Sequence, residues 1–259
     1  MILAVDMGNT HIVMGGISSD GSISKVMRME TNMRKTEYEY AADIRPILAF
    51  AGIDEREIEG VIISSVVPPL TATLQNALRL ITGLDALIVG AGVKTGLNIA
   101  IDDPGTIAAD LVVTAVAAKN EYALPCIIID LGTATTVTVV NEKGSYIGGA
   151  IMPGVGLSLG ALTQGTSLLP TVEIAPPQKT IATNTIDSMK SGIIFGSAGA
   201  LDGILDRYEE VLGKDISIVA TGGLATTVCP HCRHEIRIDN DLLMKGLKVI
   251  WDRNQTRRH

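Results

Sequence analysis

Ile2-Leu3-Ala4-Val5-Asp6-Met7-Gly8-Asn9-Thr10-His11 and, far downstream, Cys126-Ile127-Ile128-Ile129-Asp130-Leu131-Gly132-Thr133-Ala134-Thr135-Thr136 share one plan. Each is a short apolar run ending in Asp, one residue, Gly, then hydroxyl or amide side chains. Each leads straight into a second strand-like run, Ile12 to Ile17 in the first case and Val137 to Val140 in the second. A Gly-containing turn between two apolar runs predicts a β-hairpin. The echo predicts two halves of similar architecture.

The turn residues carry a chemical implication. Gly8 and Gly132 let the backbone bend tightly and approach a ligand without a Cβ in the way. Successive N–H groups in such a bend form a concavity for an anion. Asn9, Thr10, Thr133, Thr135 and Thr136 add side-chain donors. A carboxylate beside a phosphate is repulsive unless a divalent cation lies between them, so Asp6 implies Mg²⁺. Two such hairpins facing each other would grip a triphosphate. Taken singly, either bend also fits an ordinary turn with a capping side chain. A third turn after an apolar run, Thr221-Gly222-Gly223, strengthens the ligand reading. Neither Gly-x4-Gly-Lys-Ser/Thr nor a strand-following Gly-x-Gly-x-x-Gly is present, which excludes the P-loop and dinucleotide-fold readings.

Around these bends the chain reads as α/β. Thr36-Glu37-Tyr38-Glu39 is a capping box before a helical stretch stopping near Gly52, and Pro46 predicts a kink or two short helices. Gly60 to Val67 predicts a buried strand stopped by Pro68-Pro69. Thr71 to Leu80 predicts a helix, Ala86 to Val89 a strand, Ala109 to Tyr122 a helix and Ile186 to Leu212 a long helix interrupted by glycines. Ser145 to Ile151 follows as a third strand of the second repeat, and Ile216 to Ala220 is expected to be the last strand. A boundary near residue 108 divides the chain into expected domains 1–108 and 109–259.

Composition bounds the function. The 259 residues are 46% hydrophobic and only 3% aromatic, so the core is built from Ile, Leu, Val and Ala. A net charge of −7 argues against a nucleic-acid partner, which calls for a basic surface. No apolar run reaches the roughly 18 residues that span a bilayer, and the amino terminus lacks the basic region of a signal peptide. Three cysteines form no disulfide framework. A cytoplasmic protein with no membrane contact is expected. Cys229-Pro230-His231-Cys232-Arg233-His234 fits a zinc or thiol-exchange motif, or a plain surface loop. His11 fits either an ATP contact or a solvated loop histidine. Arg257-Arg258-His259 is a polar tail without pattern.

Asp6-Met-Gly-Asn-Thr, Ser64-Ser65-Val66-Val67-Pro68-Pro69, Lys94-Thr95-Gly96-Leu97-Asn98, Asp130-Leu-Gly-Thr-Ala-Thr-Thr, Gly148-Gly149-Ala150-Ile151-x-Pro153-Gly154 and Thr221-Gly-Gly-Leu-Ala resemble, in order and over nearly the whole chain, the type III pantothenate kinases. The resemblance implies two ribonuclease-H-like lobes of mixed sheets flanked by helices, the architecture of the actin, hexokinase and Hsp70 superfamily. It implies ATP-dependent phosphorylation of pantothenate, the first step of coenzyme A synthesis, by a homodimer that uses Mg²⁺ and a monovalent cation, K⁺ or NH₄⁺. Carried over, Asp6, Met7, Gly8, Asn9, Thr10 and His11 belong to the first phosphate loop. Asp130 holds the monovalent cation, Thr133 touches ATP, and Thr221, Gly222 and Gly223 lie by the adenosine. Ala108, Ala109, Asp110, Leu111 and Thr185 match pantothenate contacts, with Asp110 as proton acceptor.

The chain departs from the family pattern in one place. Ala108 stands for the usual Gly, Leu111 for Arg and Ile101 for Tyr. Arg would bring a planar, charged fork of donors and Tyr an aromatic wall with a hydroxyl. Three readings therefore stay open from sequence: a pantothenate kinase with a modified acceptor pocket, a paralogue for another small alcohol, and a nucleotide-binding regulatory protein. On position alone, Asp110 also fits an acid favouring the macrodipole in a helix's first turn.

Overall fold

The first repeat folds as a hairpin whose alternate side chains feed one core. In the computed structural model, which describes residues 1–255, β1 (Ile2–Met7) and β2 (His11–Ile17) pair antiparallel with Asp6 opposite Val13. Strand β3 (Met27–Glu30) joins the outside of β2. Helix α1 (Glu37–Phe50) starts at the expected capping box: Thr36 accepts from Glu39 N and the Glu39 carboxylate accepts from Thr36 N at 2.8 Å. It runs as one helix through Pro46, so of the expected kink or two short helices the second does not occur. Pro46 lies on the exposed side with Ala42, whose carbonyl loses its helical partner, while Tyr40, Ile44 and Leu48 hold the other side in the core.

Strand β4 (Gly60–Ser65) lies parallel to β1. Helix α2 (Pro68–Thr82) begins at the two prolines rather than after them, because a first-turn residue has no intrahelical N–H bond to lose. Gly83, at φ 72°, closes it, and β5 (Leu87–Ile88) pairs parallel with β4. Next come β6 (Asn98–Ile99), a single 3-10 turn at Pro104–Thr106 and α3 (Ala109–Glu121).

The second repeat is β7 (Cys126–Leu131), β8 (Ala134–Val140) and β9 (Ser145–Pro153), an antiparallel meander. Helices α4 (Val155–Gln164) and α5 (Thr185–Leu212) follow, then β10 (Ser217–Thr221) parallel to β7 and α6 (Ala225–Val228). The last strand is β11 (Arg237–Ile238), parallel to β10, so β10 is not the final strand as expected. Helix α7 (Leu242–Gln255) ends the described chain; Arg257, Arg258 and His259 lie outside it.

The duplication is visible in strand order. One sheet runs β3-β2-β1-β4-β5 and the other β11-β10-β7-β8-β9-β6. Without β6, the second sheet read backwards is β9-β8-β7-β10-β11, a strand-by-strand match to the first. This is the expected α/β architecture of two ribonuclease-H-like lobes.

Packing defines two compact units: Met1–Leu97 with Asp102–Ala117 and the chain from Asp241, and Asn98–Ile101 with Ala118–Asn240. A cut at residue 108 falls inside the segment that packs with the first unit. That unit has a core of Leu3, Val5, Met7, Ile63, Tyr40, Leu74 and neighbours on the α1–α2 side. Its other face is covered by α7, whose Trp251 lies over Gly60 and Met244 by Gly15. The core of the second unit joins Ile127, Ile129, Leu131 and Val137 to Ile194, Ala198, Leu201 and Leu205 of α5.

Candidate active site

Asp6 and Asp130 occupy the same place in their units. Each lies on the sheet face opposite the large apolar cluster, at the end of the central strand. Each is in register with a hydroxyl residue on the parallel neighbour: Asp6 with Ser64, and Asp130 with Thr221. In-register residues of adjacent strands share a face, so each carboxylate has a hydroxyl beside it. Ser64 is fully buried and its Oγ has no hydrogen-bond partner among the described residues.

In the first unit the loop after Asp6 is tight. Gly8 N donates to His11 O at 2.9 Å, which brings Asn9, Thr10 and His11 to an exposed tip. The loop is held from β3's end, where Thr31 N donates to Thr10 O at 2.9 Å and Thr31 Oγ1 to Gly8 O at 2.7 Å. Asp110 belongs to the same unit, in the first turn of α3. Asp103 caps the preceding turn by accepting from Gly105 N at 3.1 Å. Asp110 is half-buried, and its Oδ1 accepts from Leu111 N at 2.7 Å. Burial pushes the Asp110 carboxyl above its ordinary range, and the Leu111 N–H opposes this only in part. Ala108, Ala109 and Leu111 flank it, all half-buried, so its immediate neighbours in the chain are apolar.

In the second unit, Gly222 has φ +96° and crosses the end of β7. A Cβ there would lie 2.6 Å from Asp130 Oδ1 and 2.7 Å from the Leu131 backbone. Thr221, in register with Asp130, and Gly222 thus lie against it, and Gly223 follows next in the chain. Gly132 N donates to Ala134 O at 3.2 Å, leaving Thr133 at an exposed tip. Gly154 backs this loop, since a Cβ there would sit 2.1 Å from Thr133 O. Thr185 stands on a separate segment as the first residue of α5, behind an Asn184 cap that accepts from Asp187 N at 2.9 Å.

Thr31, Ser64 and Gly154 were not among the residues expected to build the site. β3 is only four residues long and Thr31 lies just past its end, so nothing in its sequence marked Thr31 as a loop anchor. Ser64 and Gly154 stand in runs shared with the family, but only register and close approach reveal what they touch.

The Cys229–His234 segment has another role. Asp202 on α5, 3% exposed, accepts from Arg233 N at 2.9 Å and pairs with His234 Nδ1 at 2.8 Å. Burial acts to raise the Asp202 carboxyl, but the bonds from His234 and Arg233 win and hold it low. Burial pushes the Cys229 thiol up to about 11 and Cys232 to about 12, the reverse of an activated thiolate. Among the described residues no group of three or more His, Cys, Asp or Glu side chains could hold a metal ion. The loop docks on α5. Among the described residues no helix is long and apolar enough to cross a membrane.

Residues 2–207 match the family model described as type III pantothenate kinase. A protein of that name from Halalkalibacterium halodurans is 41% identical over 98% of this chain and 100% of its own length. Another of the same name, from Koribacter versatilis, is 42% identical over 99% of this chain and 97% of its own. Among solved structures, the activator of 2-hydroxyisocaproyl-CoA dehydratase from Clostridium difficile, with bound ADPNP, is similar at a TM-score of 0.58 and 11% identity. That likeness, one of fold, covers 99% of this chain and 97% of the other.

Proposed function

Because this chain belongs to the type III pantothenate kinase family, we propose a division of labour among its residues in the reaction it catalyses. That reaction transfers the γ-phosphoryl group of ATP to pantothenate, giving 4'-phosphopantothenate and opening coenzyme A synthesis. The observation that carries the reading is the duplicated strand end: Asp, x, Gly and a donor-rich tip, each with a hydroxyl in register. Asp6, Met7, Gly8, Asn9, Thr10 and His11 hold phosphate oxygens through the loop's N–H groups and side chains. Thr133 contacts ATP, and Thr221, Gly222 and Gly223 lie along its adenosine. Ala108, Ala109, Asp110, Leu111 and Thr185 form the acceptor contacts.

Phosphoryl transfer asks mainly for positioning and charge neutralisation. The pantothenate hydroxyl oxygen attacks the γ-phosphorus, the bond to the β–γ bridging oxygen breaks, and ADP leaves. Asp110 orients the hydroxyl and takes its proton. A carboxylate raised by burial is a better base than an exposed one, which supports this role. The donors nearest the phosphate loops are carboxylate, hydroxyl and carbonyl oxygens, a set suited to Mg²⁺ and alkali cations. Asp6 would hold Mg²⁺, directly or through water. Asp130 is the residue for K⁺ or NH₄⁺. When bound, these cations offset phosphate charge.

The active species is a homodimer in the cytoplasm. In support, the second unit exposes Ile151, Leu157, Leu168, Ile181 and Ile186, apolar area that a second copy would cover. A second reading, a kinase for a less polar alcohol, is favoured by the apolar Ala108, Leu111 and Ile101. An ADP-release assay with pantothenate and a panel of small primary alcohols separates the readings. Turnover with pantothenate at the highest kcat/KM is expected. Turnover of another alcohol in preference would establish the second reading, and nucleotide binding without turnover on any acceptor would make the chain a regulatory binder.

A further inference from the structure

Thr31 is joined to the first loop at two carbonyls and to the core through the next residue. Its N–H donates to Thr10 O at 2.9 Å and its hydroxyl to Gly8 O at 2.7 Å. The C=O and N–H of a trans peptide point in opposite directions. Drawing the Gly8 and Thr10 carbonyls toward Thr31 therefore turns the Asn9 and His11 N–H groups to the opposite side. The same segment is pinned from below. Tyr40, fully buried on α1, accepts from Asn32 N and donates to Asn32 O through its hydroxyl, both at 2.9 Å. A strut thus runs from the first unit's core, through Tyr40 and Asn32, to Thr31 and the loop tip.

We infer that Thr31 is a positioning residue for the phosphates of ATP. Its two bonds hold the Gly8–Asn9 and Thr10–His11 peptide planes in the orientation that presents their N–H groups to an anion. Thr31 acts through the loop and is assigned no contact with substrate. The inference rests on Gly8–His11 being a phosphate loop. It adds that the loop's shape is imposed by a hydroxyl outside it.

The test compares wild type with Thr31→Val, which keeps the shape and removes the hydroxyl, Thr31→Ser, which keeps the hydroxyl, and Thr10→Ala within the loop. Calorimetry measures binding of a non-hydrolysable ATP analogue with Mg²⁺ and, separately, of adenosine; kinetics give KM for ATP and for pantothenate. T31V is expected to weaken the analogue and raise KM for ATP by about fivefold to tenfold, the effect of one lost hydrogen bond. Adenosine affinity and KM for pantothenate should stay unchanged, and T31S should lie within about twofold of wild type. T31V binding the analogue as wild type does, or losing adenosine and pantothenate affinity in parallel, overturns the inference. If T10A weakens the analogue while T31V does not, the loop reading stands and the role of Thr31 fails. If neither weakens it, both fail. Should T31V not fold, Thr31→Ala provides the same comparison.

Discussion

Asp110 joins a burial that is costly to the fold to a proposed role in the reaction. Burial raises its carboxyl above the ordinary value of 3.8. Between the unfolded and folded values the native chain holds a proton that the unfolded chain has lost. Stability therefore falls as pH rises through that window and stays lower above it. Replacing Asp110 by Asn removes that charge. D110N should melt no lower than wild type at pH 7, the two should converge at a pH below the ordinary carboxylate value, and kcat should fall about 100-fold or more. Thermal melts across pH with parallel turnover assays check both arms. Gly222 is the opposite case, a residue with no side chain that fixes where a charge sits. At φ +96° and pressed on Asp130 and the Leu131 backbone, it cannot carry a methyl group without moving β7 or β10. Gly222→Ala should lower stability by about 2 kcal/mol or more, measured by denaturant unfolding, and lose nucleotide binding with it.

Among the elements, α7 matters most to Asp110. It buries Leu242, Met244, Leu247 and Ile250, and its Gly246 lies so close to α3 that a Cβ would sit 2.1 Å from Val113 O. The contact fixes the helix on which Asp110 stands. Gly246→Ala should push α3 and α7 apart, lowering both the melting temperature and kcat although residue 246 has no place among the reacting groups. A melt and a steady-state assay of that variant check this. Element by element, the sequence made the repeated hairpins legible because β-branched runs, Asp and Gly recur in the same order. The capping box at Thr36 and the strand at β4 were equally clear. Helix α7 was not anticipated, although Leu243, Leu247 and Ile250 recur at helical spacing; only the structure shows that the helix covers glycines of β2 and β4. The two-residue strands β6 and β11 were missed because so short a run has no period. At Pro46 the sequence left a kink and a split helix equally open, because the cost of an internal proline depends on which side of the helix it faces. Of the proposed site, the three glycine turns were readable as residue types at the ends of elements, whereas Asp110 was singled out by the family resemblance, its position alone fitting a first-turn acid equally well. Thr31 and Ser64 were not readable, since their roles come from register and from hydrogen bonds across the fold.

At the scale of the whole molecule, two copies of one sheet plan each end their central strand in an acid, and the copies have diverged in what surrounds it. Near Asp6 the neighbouring hydroxyl is the buried Ser64; near Asp130 it is Thr221, with Gly222 folded over the carboxylate. Asp130 is the proposed holder of the monovalent cation, so replacing K⁺ by Na⁺ in the assay should lower wild-type turnover and leave Asp130→Asn at one low rate in either salt. Equal wild-type rates in the two salts would remove that role. The exposed apolar side chains of the second unit predict a particle of twice the chain mass in light scattering, and replacing Ile151 and Leu157 by Glu should return it to the chain mass. A monomeric wild type that turns over pantothenate would show that the second copy is not needed.

The most direct measurement follows the γ-phosphoryl group itself. Purified protein is mixed with γ-labelled ATP, Mg²⁺, K⁺ and pantothenate, and the label is traced by mass spectrometry in a single turnover. Label on pantothenate with the wild-type chain, and none above background on the same time scale with the folded, nucleotide-binding D110N variant, is the predicted result. Label remaining on ATP with the wild-type chain, or reaching pantothenate equally fast with D110N, would contradict the account.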